Sequence, residues 1–444
     1  MNHVNVNRIS DIFEAQSKYR WEVRKTTAQE RLDKVIRLRD IWLSRTDEIA
    51  EALISDFSRP AEEARNQVFA LIPAFNQVIE NLEQWMQPEE YTSAEGSTAQ
   101  VVYEPLGVVC IFGTWNAPPS VTVHPLIEAV AAGNCAVIKP SEFTPAYNKI
   151  LKELLADVFE EKEVAVVEGE ADVASELLNY PFNHFFFTGS PKVGKIVMAG
   201  AAKHLAAVTL ELGGKSPVIL DRNIDFTRAA GRLAYCKILM GGQFCISPDY
   251  IFVHEEDVEL FVQNYTAVVQ GMLYDNGMIR NEERTQIVNE AHYNRLKGLF
   301  EDAVAKGASV LSGGTFNDAL RLIEPTVLGD ITDEMDIAEE EIFGPLTFIK
   351  PYKNVSDVIE SIRKNPSPLA LYIFSEDEQF QQYVLQNTAS GGVTINDLLM
   401  HNVHPELPFG GVNNSGIGKF HGKHGFKTFS HNRGVYTVVD TKNS

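Results

Sequence analysis

Four short stretches of the 444-residue chain carry side chains able to do chemistry. In "GGQFCISPDY", residues 241–250, Cys245 follows a Gly-Gly pair and precedes a proline. Its neighbours are turn formers rather than core formers. The peptide alone leaves two readings level, an idle loop thiol and a nucleophile. In "VTLELGGKSP", Glu211 sits in an apolar strand run just before Gly213 and Gly214. Desolvation there raises a carboxyl toward the range of a useful general base. The alternatives are a structural glutamate at a strand end, or a ribose-binding acid, about twenty residues past Gly189. In "IKPSEFTP", Lys139 and Glu142 leave a buried strand together. An ammonium and a carboxylate at that spacing can hold a ribose diol, or form a solvated pair. In "FFFTGSPKVGKIVMAG", Gly189, Gly194 and Lys195 nearly make a P-loop, but Ile196 lacks the hydroxyl that Mg²⁺ requires. The dinucleotide pattern G-x-G-x-x-G also fails. What remains is a glycine turn before a helix N-terminus, open to a phosphate or serving only as a tight connection.

Composition narrows the partners. Lys and Arg number 39 against 60 Asp and Glu, a net charge of −21. Such a surface repels nucleic acid and anionic lipid. No apolar run approaches the ~18 residues of a spanning helix, and the N-terminus has no signal-like core, so a soluble, cytoplasmic protein is expected. Four cysteines are too few for a disulfide scaffold, and no C-x-x-C or His-x-x-x-His spacing suggests a metal. Cys110 and Cys135 read as strand core, and Cys236 as helix packing.

These residues must be held by regular elements. Residues 1 to about 85 read as helical, with Leu32, Val35, Ile36 and Leu43 at helical spacing and Thr46 a candidate N-cap. "YTSAEGSTAQVVYEP" reads as an exposed ribbon. From residue 107, apolar strands ("GVVCIFG", "CAVIKP", "VAVVEG", "HFFFTG") alternate with amphipathic helices. That alternation predicts a parallel sheet covered on both faces, with ligands beyond the carboxyl ends of its strands. Strand candidates "YIFVH", "SVLSGG", "PLTFIKPYK", "ALYIFSED" and "GGVTIND", with a long helix over "ERTQIVNEAHYNRLKGLFEDAVAKG", predict a second α/β domain.

Taken together, "GTWNAPPSV", "IKPSEFTP", "FTGSPKVG", "LELGGKSP", "GGQFCISPDY", "EEIFGPL" and "LPFGGVNNSGIG" follow the order and spacing of the aldehyde dehydrogenase superfamily, over roughly residues 20 to 435. The chain most resembles the class 3 branch, which includes fatty and aromatic aldehyde dehydrogenases; its stretch "YTVVDTKNS" is not an apolar tail, so no membrane anchor is expected. The resemblance implies a Rossmann-like cofactor domain (1–88 and 107–213), an α/β catalytic domain (214–412) and a small β oligomerisation arm (89–106 and 413–444), with a homodimer as the assembly. It implies Cys245 as nucleophile, Asn116 as oxyanion donor with the Cys245 N–H, and Glu211 as the base that hydrolyses a thioester. For NAD, with NADP also possible, it implies contacts from Trp115, Lys139, Glu142, Gly189, Ser190, Gly194, Glu341 and Phe343.

The expected reaction is oxidation of an aldehyde to its acid. Three competitors are weaker. A CoA-acylating relative is disfavoured by Glu211 in an intact "LELGGKSP", a P-loop ATPase or kinase by Ile196, and a non-catalytic structural relative by the retained Cys245, Glu211 and Asn116. One departure bears on substrate. Class 3 relatives usually carry an aromatic residue after the oxyanion Asn, and here Ala117 stands in that place. A channel lined by Ala117 and Phe244 predicts a long, aromatic or otherwise bulky apolar aldehyde, unless neighbouring side chains repack to the usual pocket size.

Overall fold

The computed structural model describes residues 4–94 and 96–438. The expected domain assignments for residues 1–3, 95 and 439–444 lie outside the described residues. Five helices, from Val4–Val23 to Ile72–Trp85, open the chain. The second, Ala28–Ser44, begins with a capping box between Thr27 and Glu30. Thr46 is not an N-cap: it is the first helical residue of Thr46–Asp56, and its hydroxyl donates back to the Leu43 carbonyl. Arg45 takes the capping position without a side-chain bond.

The first sheet has six strands in the order Gly416–Ile417, Ala207–Leu212, His184–Gly189, Val108–Phe112, Cys135–Lys139, Val164–Val166. All neighbours run parallel except Gly416–Ile417. The chain moves outward from Val108–Phe112 in one direction, then returns to its other side with His184–Gly189. This makes a topological switch point, where α/β sheets gather ligands. Val109, Ile111, Ala136 and Ile138 face one core, and Val108, Cys110, Cys135 and Val137 the other. The uninterrupted apolar strands thus bury both faces.

A second, seven-stranded sheet has the order Ser309–Ser312, Thr326–Gly329, Leu346–Tyr352, Pro248–His254, Ser216–Leu220, Ala370–Phe374, Gly392–Ile395, with only the first strand antiparallel. Ser216–Leu220 has no expected counterpart, because its five apolar or small residues follow the Glu211 strand with only a Gly-Gly-Lys turn between. The helix expected over 283–307 spans only Glu290–Ala305. Asn289 caps it by accepting from the His292 N–H, and the preceding residues form a loop.

Val218, Leu220, Ile251 and Val253 join the same core as Val109, Ile111, Ala136 and Ile138. Strands of both sheets and helices from both halves therefore contribute to one buried apolar cluster. Glu89–Tyr91, Ser97–Pro105 and Ser430–Val438 form an antiparallel ribbon apart from both. Within the stretch 413–438 expected in that arm, Gly416–Ile417 instead edges the first sheet, and helix Gly422–Thr428 packs on Ile72–Trp85 and Pro118–Ala131. No helix among the described residues is long and apolar enough to cross a membrane.

Candidate active site

Cys245 lies in a tight turn whose preceding residues are forced into the left-handed region. Met240, Gly241 and Gly242 have φ of 53°, 59° and 69°. A Cβ on Gly242 would lie 2.3 Å from the Gly344 carbonyl oxygen, so only glycine lets these two backbones touch. Remote groups satisfy the turn. The Glu63 carboxylate accepts from the Met240 N–H at 2.7 Å and from the Thr285 hydroxyl at 2.8 Å. The Gln243 amide donates to the Met240 and Gln286 carbonyls and accepts from the Val288 N–H. The Tyr372 hydroxyl donates to the Ile246 carbonyl at 2.7 Å.

The Glu341–Gly344 loop is tied to the same place. Buried Lys237 donates to the Ser247 hydroxyl and the Gly344 carbonyl. Asp249 accepts from the Ile342 N–H and from Lys215, which also donates to the Ile337 and Glu340 carbonyls. Arg295 donates to the carbonyls of Glu341 and Ile342. The Glu341 carboxyl lies over Gly213, where a Cβ would meet its oxygen at 2.1 Å. Phe343 (φ 49°) packs edge-on against Trp115 at 5.6 Å, joining this loop to the one that carries Asn116. The sequence identifies Glu341 and Phe343 but gives no sign of Lys237, Glu63, Gln243 or Tyr372 as supports. Their partners lie too far along the chain for any local pattern to register.

Electrostatics follow from this enclosure. Burial, reinforced by the carboxyls of Glu341 and Glu211, pushes the Cys245 thiol up to about 12, although its surface retains some exposure. The backbone N–H groups of Cys245 and Ile246 oppose that rise. Glu341 is raised to about 7 by burial, so it is divided between acid and carboxylate at neutral pH. Glu211, 4% exposed and with no hydrogen-bond partner for either oxygen, is held well above the ordinary carboxyl range by burial. Asn116 is also buried, and its side-chain oxygen is unpartnered. The thiol and the carboxyls of Glu341 and Glu211 thus lie close enough to act on one another's charge, with Ala117, Phe244 and Cys245 packed on the shared core.

The remaining sequence-derived residues line the carboxyl edge of the first sheet. Buried Lys139 donates to Glu142 at 2.9 Å. Burial tends to raise Glu142, but the bond and charge of Lys139 together with Glu142's own backbone N–H outweigh it, and its carboxyl lies below the ordinary range. Ser190 caps helix Pro191–Ala202 by accepting from the Val193 N–H. Gly189 abuts the Phe187 ring and Gly194 abuts Leu212. Phe143, Val193 and Ile196 leave apolar surface exposed at this edge. A cationic head beside a carboxylate, a helix N-terminus and exposed apolar surface suit a dinucleotide's ribose, phosphates and base.

Comparison with known proteins bears on the chemistry. A family model described as the aldehyde dehydrogenase family matches residues 2–435. The chain is 44% identical to AldX of Bacillus subtilis (strain 168) over 432 residues, covering 96% of this chain and 97% of that protein. It is 39% identical to aldehyde dehydrogenase family 3 member A2 of Rattus norvegicus over 413 residues (91% and 83%). It is 36% identical to the coniferyl aldehyde dehydrogenase of Pseudomonas sp. (strain HR199) over 440 residues (97% and 91%). Among solved structures, substrate-bound AldH of Staphylococcus aureus superimposes with a TM-score of 0.94 at 34% identity, covering 100% of this chain and 96% of that one. A betaine aldehyde dehydrogenase variant of the same species, in complex with NAD+, gives 0.90 at 26% (99% and 91%). The chain belongs to the aldehyde dehydrogenase family, and its activity is NAD(P)-dependent oxidation of an aldehyde.

Proposed function

We propose that Cys245 is the nucleophile of this oxidation, Asn116 and the Cys245 N–H the donors to the oxyanion, and Glu211 the base for hydrolysis. The observation that carries this reading is the enclosed Cys245 thiol lying within electrostatic reach of the carboxyls of Glu341 and Glu211. The thiol gives its proton to a neighbouring carboxylate, and Sγ bonds to the carbonyl carbon. The oxygen gains negative charge where the Asn116 amide and the backbone N–H can donate to it. Lys139, Glu142, Ser190, Glu341 and the Trp115–Phe343 pair would hold NAD(P)+, which would supply the acceptor for the hydride that the carbon loses as the oxyanion re-forms its C=O bond. The enzyme is left as a thioester. Glu211 takes a proton from water as its oxygen attacks the acyl carbon, the C–S bond breaks, and the carboxylic acid leaves.

A second reading places Glu341 as the base, favoured by its carboxyl lying near neutrality. Rapid mixing with aldehyde and NAD+ separates the two. Cys245→Ala should give no NADH while still binding NAD+. Glu211→Gln should give one equivalent per site and then turnover slowed about 10²-fold or more. Unimpaired steady-state hydrolysis in Glu211→Gln, with loss in Glu341→Gln, would move the role to Glu341.

Glu142 repels a 2′-phosphate and accepts from a free 2′-hydroxyl, so NAD+ is the favoured cofactor. The preferred aldehyde is long, aromatic or otherwise bulky and apolar. This rests on Ala117 beside Asn116, with Phe244 as an apolar wall, and on relatives named for coniferyl aldehyde. Each buried CH₂ contributes ~0.8 kcal/mol, so KM falls with chain length until the channel is full. Ala117→Tyr should shift preference toward small aldehydes, and an unchanged profile would remove Ala117 from the channel. The first sheet with its helices serves as the cofactor domain and the second as the catalytic domain. The ribbon, with Tyr436 and Val438 exposed on its edge strand, joins two copies in a homodimer. The net charge of −21 and four free cysteines suit a cytoplasmic enzyme without nucleic-acid partners.

A further inference from the structure

The edge strand Gly416–Ile417 pairs directly with the strand that carries Glu211, with Gly416 opposite Glu211. The chain that follows delivers Lys419 and His421 to the same interior. Lys419 reaches across to the second half of the molecule, where its ammonium donates to the Gly391 carbonyl at 3.1 Å and to the Gly410 carbonyl. Gly410 (φ 147°) is the meeting point. A Cβ built on it would lie 2.8 Å from Glu211 Oε1 and 3.0 Å from Lys419 Cδ. The carboxyl and the lysine stem thus press on one glycine from the same side. Neither Glu211 oxygen has a hydrogen-bond partner.

We propose that Lys419 is a positioning residue for hydrolysis: its ammonium, clamped over the Gly391 and Gly410 carbonyls, is the counter-charge that keeps the buried Glu211 ionisable. This inference rests on Glu211 being the base. The other groups around Glu211 cannot take that part. Glu128, on helix Pro118–Ala131, is a second buried carboxyl that disfavours the Glu211 anion, and it is faced by His124 at 3.3 Å. The Cys245 thiol lies on the nucleophile side. His421, stacked on His124 at 4.4 Å, is kept neutral by burial, as is His401, lowered to about 4. Lys419 is therefore the cation that opposes the desolvation of Glu211.

A cation favours the carboxylate, so removing it raises the proton affinity of Glu211 and moves the acid limb of the kcat profile to higher pH. The experiment measures the NADH burst and steady-state kcat from pH 5.5 to 9.5 for wild type, Lys419→Gln, Lys419→Met and Lys419→Arg. Gln keeps amide donors for the two carbonyls without the charge, so it serves where Met fails to fold. In Gln and Met the acid limb should move up by about one unit or more, with about tenfold lower kcat at pH 7 and an undiminished burst. Arg should restore the wild-type limb. A purely structural clamp would lower stability and leave the limb in place, and that result overturns the proposal. Failure of the underlying reading looks different: Glu211→Gln would itself hydrolyse normally.

Discussion

The nucleophile turn and the carboxyl edge of the first sheet are both loops at strand or helix ends, yet they are held in opposite ways. The turn at 240–246 is fixed by groups far away in sequence: Glu63, Gln286, Val288 and Tyr372 through hydrogen bonds, and Gly344 through its contact with Gly242. Its backbone runs through three left-handed residues. The cofactor edge uses near neighbours, Lys139 with Glu142 and Ser190 with Val193, and much of it faces solvent. Chemistry at an attacking atom tolerates little displacement, so its support is distributed and strained. A dissociable ligand needs an open rim whose contacts remake on each cycle.

Three substitutions can break or sharpen this contrast. The largest effect is expected from Gly242→Ala. The added methyl meets the Gly344 oxygen at 2.3 Å in a left-handed conformation, so the turn and the Glu341 loop must separate. A loss of about 2–4 kcal/mol in urea unfolding, with kcat falling at least tenfold, is the expected outcome. A stable, fully active variant would show that the turn is not strained.

Tyr372→Phe comes next. It strips the Ile246 carbonyl of its buried donor, which costs about 1–3 kcal/mol. A several-fold drop in kcat with little change in the KM for NAD+ would tie that bond to nucleophile placement. Stability loss alone would reduce Tyr372 to packing.

The smallest effect on the fold is expected at the rim. Glu142→Gln should leave stability within about 0.5 kcal/mol. It should raise the KM for NAD+ and narrow the preference over NADP+, read as the ratio of the two kcat/KM values. A wild type that strongly prefers NADP+ would remove Glu142 from that role.

The same contrast explains what the sequence could disclose. Lys139 with Glu142, and Ser190 ahead of a helix, are readable because their partners lie three residues away. Both sheets are largely readable because buried parallel strands make continuous apolar runs. Cys245 stands out by the turn formers around it, and Glu211 by its apolar setting. The left-handed conformation at Met240 has no signal, since its two glycines already mark a turn. Lys419 is invisible for a further reason. It meets Glu211 only because a two-residue edge strand, too short for any periodicity, attaches residues 416–417 to the first sheet. The departures of Thr46 and of the 283–289 loop are local. A hydroxyl bonding backward competes with capping, and Asn289 starts its helix later than the apolar pattern suggests.

The apolar cluster to which both sheets contribute has a consequence for how the molecule comes apart. Val109 and Ile138 from one sheet and Val218 and Ile251 from the other are buried in a single cluster, so each half shares part of its interior with the other. Melting the cofactor half would lay bare the catalytic half's flank, and the reverse holds too. Calorimetry should therefore record one cooperative endotherm for the protomer rather than two. A chain cut in the loop after residue 212 should yield two pieces that are soluble only when produced together.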